Sequence, residues 1–222
     1  MTVSDPDREV RRLAAESLAV QDPTGWFERL YTAAEQGDLE VPWDRGAPHP
    51  LLAQWAGKRE RDGTGRRAVV VGCGYGHDAE YLAGLGYDTV AFDISGTAVR
   101  AARQRFPESR VRYRTADLLA PPDEWREAFD LVFESMTVQA LPVSERDAAI
   151  GRVTELVAPA GTLLVVAIHR EDGEPPVEGP PWPLDRAEVE SFARDGLRPV
   201  RIEILTGSTP KSRRWLAEFR RP

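Results

Sequence analysis

The chain has 222 residues, with 36 acidic against 29 basic side chains and a formal charge of −7. That length suits one α/β domain with an N-terminal appendage, large enough to need no covalent staples. The charge argues against a general nucleic-acid binder, which needs a basic face for phosphates, and a lone cysteine, Cys73, leaves no intrachain disulfide and suits a reducing compartment.

The first stretch, "MTVSDPDREVRRLAAESL", is charged and lacks the apolar core of a signal peptide. No apolar run approaches a membrane span, so the expectation is a cytoplasmic protein. Residues 8–20 place Val10, Leu13, Ala14 and Leu18 at helical spacing. "QDPTG" breaks that helix, and "WFERLYTAAEQGD" restarts one, with Asp22 or Thr24 as cap and Gly37 as stop. "VPWDRGAPHPLL" is a proline-bearing loop, and "HPLLAQWAG" begins a short helix ending at Gly57.

From Arg67 onward strands and helices alternate. "AVVVG" is a short apolar strand of the kind buried on both faces of a parallel sheet. "HDAEYLAGLG" is a helix, "DTVAFDI" a strand, and "SGTAVRAARQRFP" a helix capped by Ser95. "VRYRTADLL" and "FDLVFES" are the third and fourth strands. "SERDAAIGRVTELVAPAG" is a helix and turn, "TLLVVAIH" a fifth strand, and "LDRAEVESFARDG" a helix. "PVRIEIL" and "RRWLAEFRR" close the chain, the base-rich last segment read as a strand with an exposed edge. No helix-sized segment separates these two, so they pair as an antiparallel hairpin. The predicted fold is a doubly wound, Rossmann-like, seven-stranded α/β sheet, mainly parallel, forming one domain over 1–222. Residues 1–57 form a helical lid and 66–222 the cofactor-binding core.

The stretch "VVVGCGYGHD" carries the chemistry. It joins a buried strand to a helix start, where glycines let backbone approach a ligand. An ATP-type loop ends in Gly-Lys-Ser/Thr, whereas this one ends in Gly-His-Asp. The dinucleotide fingerprint G-x-G-x-x-G is also missed, because Gly72, Gly74 and Gly76 are spaced G-x-G-x-G. Asp78, in the first helical turn, would repel a pyrophosphate but tolerates a cofactor whose near end carries an amino group and a sulfonium. S-adenosylmethionine has that chemistry. Asp93 ends the second strand, where a carboxylate accepts both ribose hydroxyls, with Ile94 beside it; a nicotinamide enzyme uses the same place. Asp117 can take the adenine amino group while Leu118 packs on the ring. Glu134 ends the fourth strand. All of these sit at carboxyl ends of parallel strands, where open α/β sheets bind ligands. The plainer alternatives are a helix cap for Asp93 and a turn residue for Asp117.

With those residues in hand, the chain resembles the class I S-adenosylmethionine-dependent methyltransferases, and more narrowly the thiopurine methyltransferase family, which includes halide and thiol methyltransferases. "VPWDRGAPHPLL" resembles the family's PWD-x-G-x-x-x-P segment, "VVGCGYGHDAEYLAGLGYDTVAFDIS" its first motif through strand two, "FDLVFESMTVQALP" its fourth strand and turn, and "RRWLAEFRR" its last strand. The likeness runs from about residue 26 to the end. The resemblance implies that Trp26 lies over the cofactor, while the family's second tryptophan is replaced by Leu30, with Tyr31 next to it. It implies that Trp43 and Asp44 close the pocket and that Gly72, Cys73, Gly74 and Gly76 cradle the methionine side. Asp93 would hold the ribose, Asp117 and Leu118 would frame the adenine, and Glu134 and Ser135 would lie near the methionine portion. Val71 stands where the family often has proline. Trp55 and Trp215 are read as core. An aromatic face beside a sulfonium is favourable, because the ring quadrupole attracts the cation.

The acceptor wall is expected from the N-terminal helices, from "MTVQALP" with Met136, and from "REDGEPPVEGPPWP" with Arg170 before it and Trp182 within it. Tyr31 is a further candidate. Of three histidines, His77 starts a helix, His49 lies in the proline loop, and His169 ends the fifth strand as the best candidate for a base. They are scattered without ligand spacing, so no metal is expected. The expected activity is methyl transfer to a small molecule: a thiol, a heterocycle nitrogen or a similar natural product. O-methylation with His169 as base and a non-catalytic binding module are the alternatives. The charge speaks against RNA as substrate, and monomer or homodimer is left open.

Overall fold

A computed structural model of the chain describes residues 6–57, 62–175, 177, 179–206 and 213–222. Three helices come first: α1 (Pro6–Ala19), α2 (Gly25–Glu35) and α3 (Pro50–Gly57). The start of α2 is set by Asp22, whose carboxylate accepts the Thr24 and Gly25 amides at 3.2 and 2.7 Å; Thr24 itself makes no side-chain cap.

The alternating part follows as β1 (Arg67–Val71), α4 (His77–Gly84), β2 (Asp88–Asp93), α5 (Gly96–Arg105), β3 (Arg112–Thr115), β4 (Phe129–Ser135), α6 (Val143–Glu155), β5 (Val157–Ile168), α7 (Arg186–Glu190), β6 (Arg198–Leu205) and β7 (Arg214–Arg220). The seven strands run in the order β3-β2-β1-β4-β5-β7-β6. The first five are parallel, and β7 is antiparallel to both β5 and β6. Ser95 caps α5 by accepting the Ala98 amide at 3.0 Å.

The pleat sorts β1 between two cores. Val69 and Val71 face a cluster with Phe129, Val153 and Phe192, while Ala68 and Val70 face Leu52, Leu82 and Val99. Burying each such Val, Leu or Phe contributes about 1.5–3 kcal/mol. Trp55 and Trp215 are core: their indole N–H groups donate to Glu218 Oε2 at 3.0 Å and Leu184 O at 2.8 Å.

Three sequence expectations need correction. The segment read as a helix over 184–196 is helical only for Arg186–Glu190. After it, the Ser191 hydroxyl and the Arg194 guanidinium take nearby carbonyls, and the chain turns so that Val189 and Phe192 both reach the core. The "VAPAG" turn is a bulged start of β5, with the register shifting between Phe129 and Leu131. The exposed edge belongs to β6, not β7, because apolar Trp215, Leu216, Ala217 and Phe219 are buried between β5 and β6.

Candidate functional site

A cavity opens where β1 meets β4 and the strand order reverses, above the carboxyl ends of β1, β2 and β4. Its floor is the loop Gly72–Gly76. Gly72 has φ +59°, and a Cβ there would sit 2.2 Å from the Thr137 hydroxyl. Gly74 has φ +50°, and its Cβ would press on the Tyr31 hydroxyl at 2.9 Å. The loop therefore needs glycine to fit its own neighbours as well as a ligand. Cys73 is buried in it, and burial pushes its thiol well up from the ordinary value.

Asp93 is the hub. Its Oδ2 accepts the Gly74 amide at 2.9 Å and its Oδ1 the Ser95 amide at 3.0 Å. Burial pushes its pKa up to about 6, against the lowering effect of those amides. Asp117 makes a turn by accepting the Leu119 amide at 2.8 Å, and still lines the cavity with Ile94 and Leu118.

Aromatic side chains form the roof. Trp26 stacks on Phe27 with centroids 3.8 Å apart and meets Trp43 edge-on at 6.2 Å. The Trp43 indole donates to the Tyr31 hydroxyl at 2.8 Å. Trp26 is also packed among Val10, Leu13 and Leu30, so it is core and wall at once. Ser135, Met136 and Thr137 close the β4 side, Met136 with φ +64°. Among the described residues, Asp44, Asp78, Asp93 and Asp117 line the space against a single arginine, Arg45. Acidic and aromatic walls suit a cationic ligand.

Thiopurine S-methyltransferase is the family whose model matches, over residues 33–204. The chain belongs to this family. It is 29% identical over 184 residues to thiocyanate methyltransferase 1 of Arabidopsis thaliana, covering 78% of this chain and 79% of that one. The Brassica oleracea thiocyanate methyltransferase 1 is 31% identical over 179 residues, covering 77% and 73%. The Burkholderia thailandensis 1,6-didemethyltoxoflavin-N1-methyltransferase, solved with S-adenosylhomocysteine, shares the fold with a TM-score of 0.66 at 16% identity, over 100% of this chain and 92% of that one. A structure from work on the conversion of a disulfide bond into a thioacetal group during echinomycin biosynthesis gives 0.69 at 23% identity, over 88% and 93%. The protein is an S-adenosylmethionine-dependent methyltransferase of small molecules.

In this methyltransferase, Trp26, Tyr31, Trp43, Gly72, Cys73, Gly74, Gly76, Asp93, Ile94, Asp117, Leu118, Ser135 and Met136 all reach the one cavity. Four expected residues do not. Glu134 turns under the β4 exit, where its Oε1 accepts the Thr137 and Val138 amides at 2.8 and 3.0 Å. His169 lies against Trp215, centroids 4.8 Å apart, because its backbone is bridged to Leu184. Arg170 is held by Asp185 at 2.5 Å and Glu188 at 3.0 Å. Trp182 lies outside the lining, its amide donating to Gln139 O at 2.8 Å, while Pro180 and Pro181 of the same loop line the cavity.

Thr137, Ala140 and Leu141, from the "MTVQALP" segment, also line the cavity, as do Phe27 and Tyr75, which the sequence did not single out. The helical spacing of Phe27 with Tyr31 was the available signal. Among the described residues, no three His, Cys, Asp or Glu side chains could hold a metal ion, and no helix is long and apolar enough to cross a membrane.

Proposed function

We propose that the acceptor atom is a sulfur that arrives as its own thiolate, on a small and largely apolar molecule. Asp93 and Ile94 hold the cofactor ribose, Asp117 and Leu118 frame its adenine, and the Gly72–Gly76 loop with Ser135 carries the methionine end. Trp26, Tyr31 and Trp43 cover the sulfonium. Bound there, S-adenosylmethionine supplies an electrophilic methyl group to the acceptor. Phe27, Met136, Ala140, Leu141, Pro180 and Pro181 form the acceptor wall and exclude water, and alignment in that dry space is the protein's main contribution to rate.

The carrying observation is the state of the histidines. His169 does not line the cavity. His49 lines it, but burial holds its pKa down to about 4, and its Nδ1 already accepts the Leu51 amide at 3.1 Å. His77 sits against Arg105 at 2.9 Å, and burial and that charge lower its pKa. Asp93 is already engaged: its two oxygens accept the Gly74 and Ser95 amides and its place is at the cofactor ribose, so a phenol near ~10 finds no free base among these groups, whereas a thiol near ~8.5 supplies thiolate unaided. The thiol and thiocyanate methyltransferases among the relatives are in keeping with this reading.

The test is a pH–rate profile for several thiols whose pKa values straddle neutrality. The rise in kcat/KM should move with each acceptor's own pKa. A limb fixed at one pH for every acceptor would assign the proton to an enzyme base and overturn the proposal.

A further inference from the structure

Helix α2 brings Trp26, Phe27 and Tyr31 to the cavity, yet something must hold that helix down. Glu28, on the same helix, does not line the cavity. Its carboxylate instead crosses to the start of α5. Oε2 accepts the Ser95 hydroxyl at 2.6 Å and the Thr97 amide at 3.2 Å, and Oε1 accepts the Thr97 hydroxyl at 2.6 Å. Hydrogen bonds to an ionised acceptor are about twice as strong as neutral ones.

Ser95 is the junction. Its hydroxyl donates to Glu28 and accepts the Ala98 amide, while its own amide donates to Asp93 Oδ1. Asp93 Oδ2 then accepts the Gly74 amide. One continuous path therefore joins the aromatic helix to the glycine loop: Glu28, Ser95, Asp93, Gly74. Further along α2 a second contact, Glu35 with Arg100 at 3.2 Å, holds the two helices together; Arg100 also donates to the Thr97 hydroxyl at 3.2 Å, so it is the Glu35 end of this contact that lies clear of Glu28, Ser95 and Asp93.

We propose that Glu28 is a positioning residue that couples the docking of α2 to the placement of Asp93, so that cofactor affinity depends on a side chain outside the cavity. The inference rests on the reading that Asp93 holds the cofactor ribose. With Glu28 ionised and docked, the Ser95 hydroxyl is fixed, the Ser95 amide stays aimed at Asp93, and the aromatic roof stays closed. With the carboxylate gone, the roof must be ordered anew each time the cofactor binds, and affinity falls by the fraction of closed molecules.

The test is calorimetric titration with S-adenosylhomocysteine at a pH where both carboxylates are ionised. Glu28→Gln should weaken binding by roughly tenfold, and Ser95→Ala by a similar factor, since each removes charge-assisted bonding from one network. The double variant should be no weaker than the weaker single one. Glu35→Gln, which loosens the same helix pair elsewhere, should bind like the parent. Unchanged binding by Glu28→Gln, equal losses in Glu28→Gln and Glu35→Gln, or additive losses in the double variant would each overturn the coupling. Asp93→Ala run alongside separates the two readings: retained affinity there would overturn the ribose assignment itself, and lost affinity there with a parental Glu28→Gln would overturn the coupling alone.

Discussion

Glu134→Gln is the sharpest test of the electrostatics under the site. Glu134 is buried at the end of β4, where Oε1 accepts two turn amides and Oε2 has no partner among the described residues. Burial pushes its pKa up to about 7 from 4.5, against the two amides that favour the charged form. The native state therefore holds a proton that the unfolded chain has already lost between those two values. This contribution to stability is fully present below 4.5 and is lost as pH rises through about 7. The gap is worth roughly 3 kcal/mol at full ionisation, and roughly 2–3 kcal/mol of it falls between about pH 5 and pH 8. Glutamine keeps the carbonyl that serves both amides and cannot ionise. Its amide hydrogens lack an acceptor and cost about 1–3 kcal/mol, a cost that does not change with pH. Measured by thermal unfolding, the variant should gain on the parent by about 4–12 °C between the acid and alkaline ends of that range. Parallel melting curves across the range would refute the buried, titrating carboxylate.

Three further outcomes follow from the same geometry. Asp93→Ala should keep the fold, as judged by circular dichroism, and lose S-adenosylhomocysteine affinity by about a hundredfold, because two hydrogen bonds to a charged acceptor disappear. Trp26→Ala should fail twice: urea unfolding should show a loss of about 3–5 kcal/mol from the cavity left among Val10, Leu13 and Leu30, and titration should show weaker cofactor binding. His169→Asn should leave kcat/KM for a thiol within about twofold of the parent, since its ring sits on Trp215 outside the cavity.

Strand and helix alternation was legible because β1, β2 and β4 are short, mostly apolar runs and Ser95 announces the start of α5. The hairpin of β6 and β7 was legible from the short connection alone. Asp93 and the Gly72–Gly76 loop were legible because strand ends in a parallel sheet converge on one place. Side-chain direction was not. Glu134 stands at a strand end like Asp93, but the amides of Thr137 and Val138 draw its carboxylate under the turn instead of into the cavity. Arg170 follows β5 as a substrate-binding arginine would, but its partners Asp185 and Glu188 lie 15 and 18 residues further along, and nothing local announces that pairing. The same loop brings Pro180 and Pro181 to the cavity and leaves Trp182 outside it, a choice of side chain that composition does not announce. Glu28 had no local signal, because its partners Ser95 and Thr97 lie 67 and 69 residues away.

The most direct measurement is transfer of a labelled methyl group from S-adenosylmethionine to thiophenol and to phenol, two acceptors that differ only in the reacting atom. Sulfur as the acceptor atom predicts a methylated sulfur product, formed one for one with S-adenosylhomocysteine, and no detectable methylation of phenol. Comparable methylation of phenol, or phenol as the better acceptor, would contradict it and would place a base in the cavity.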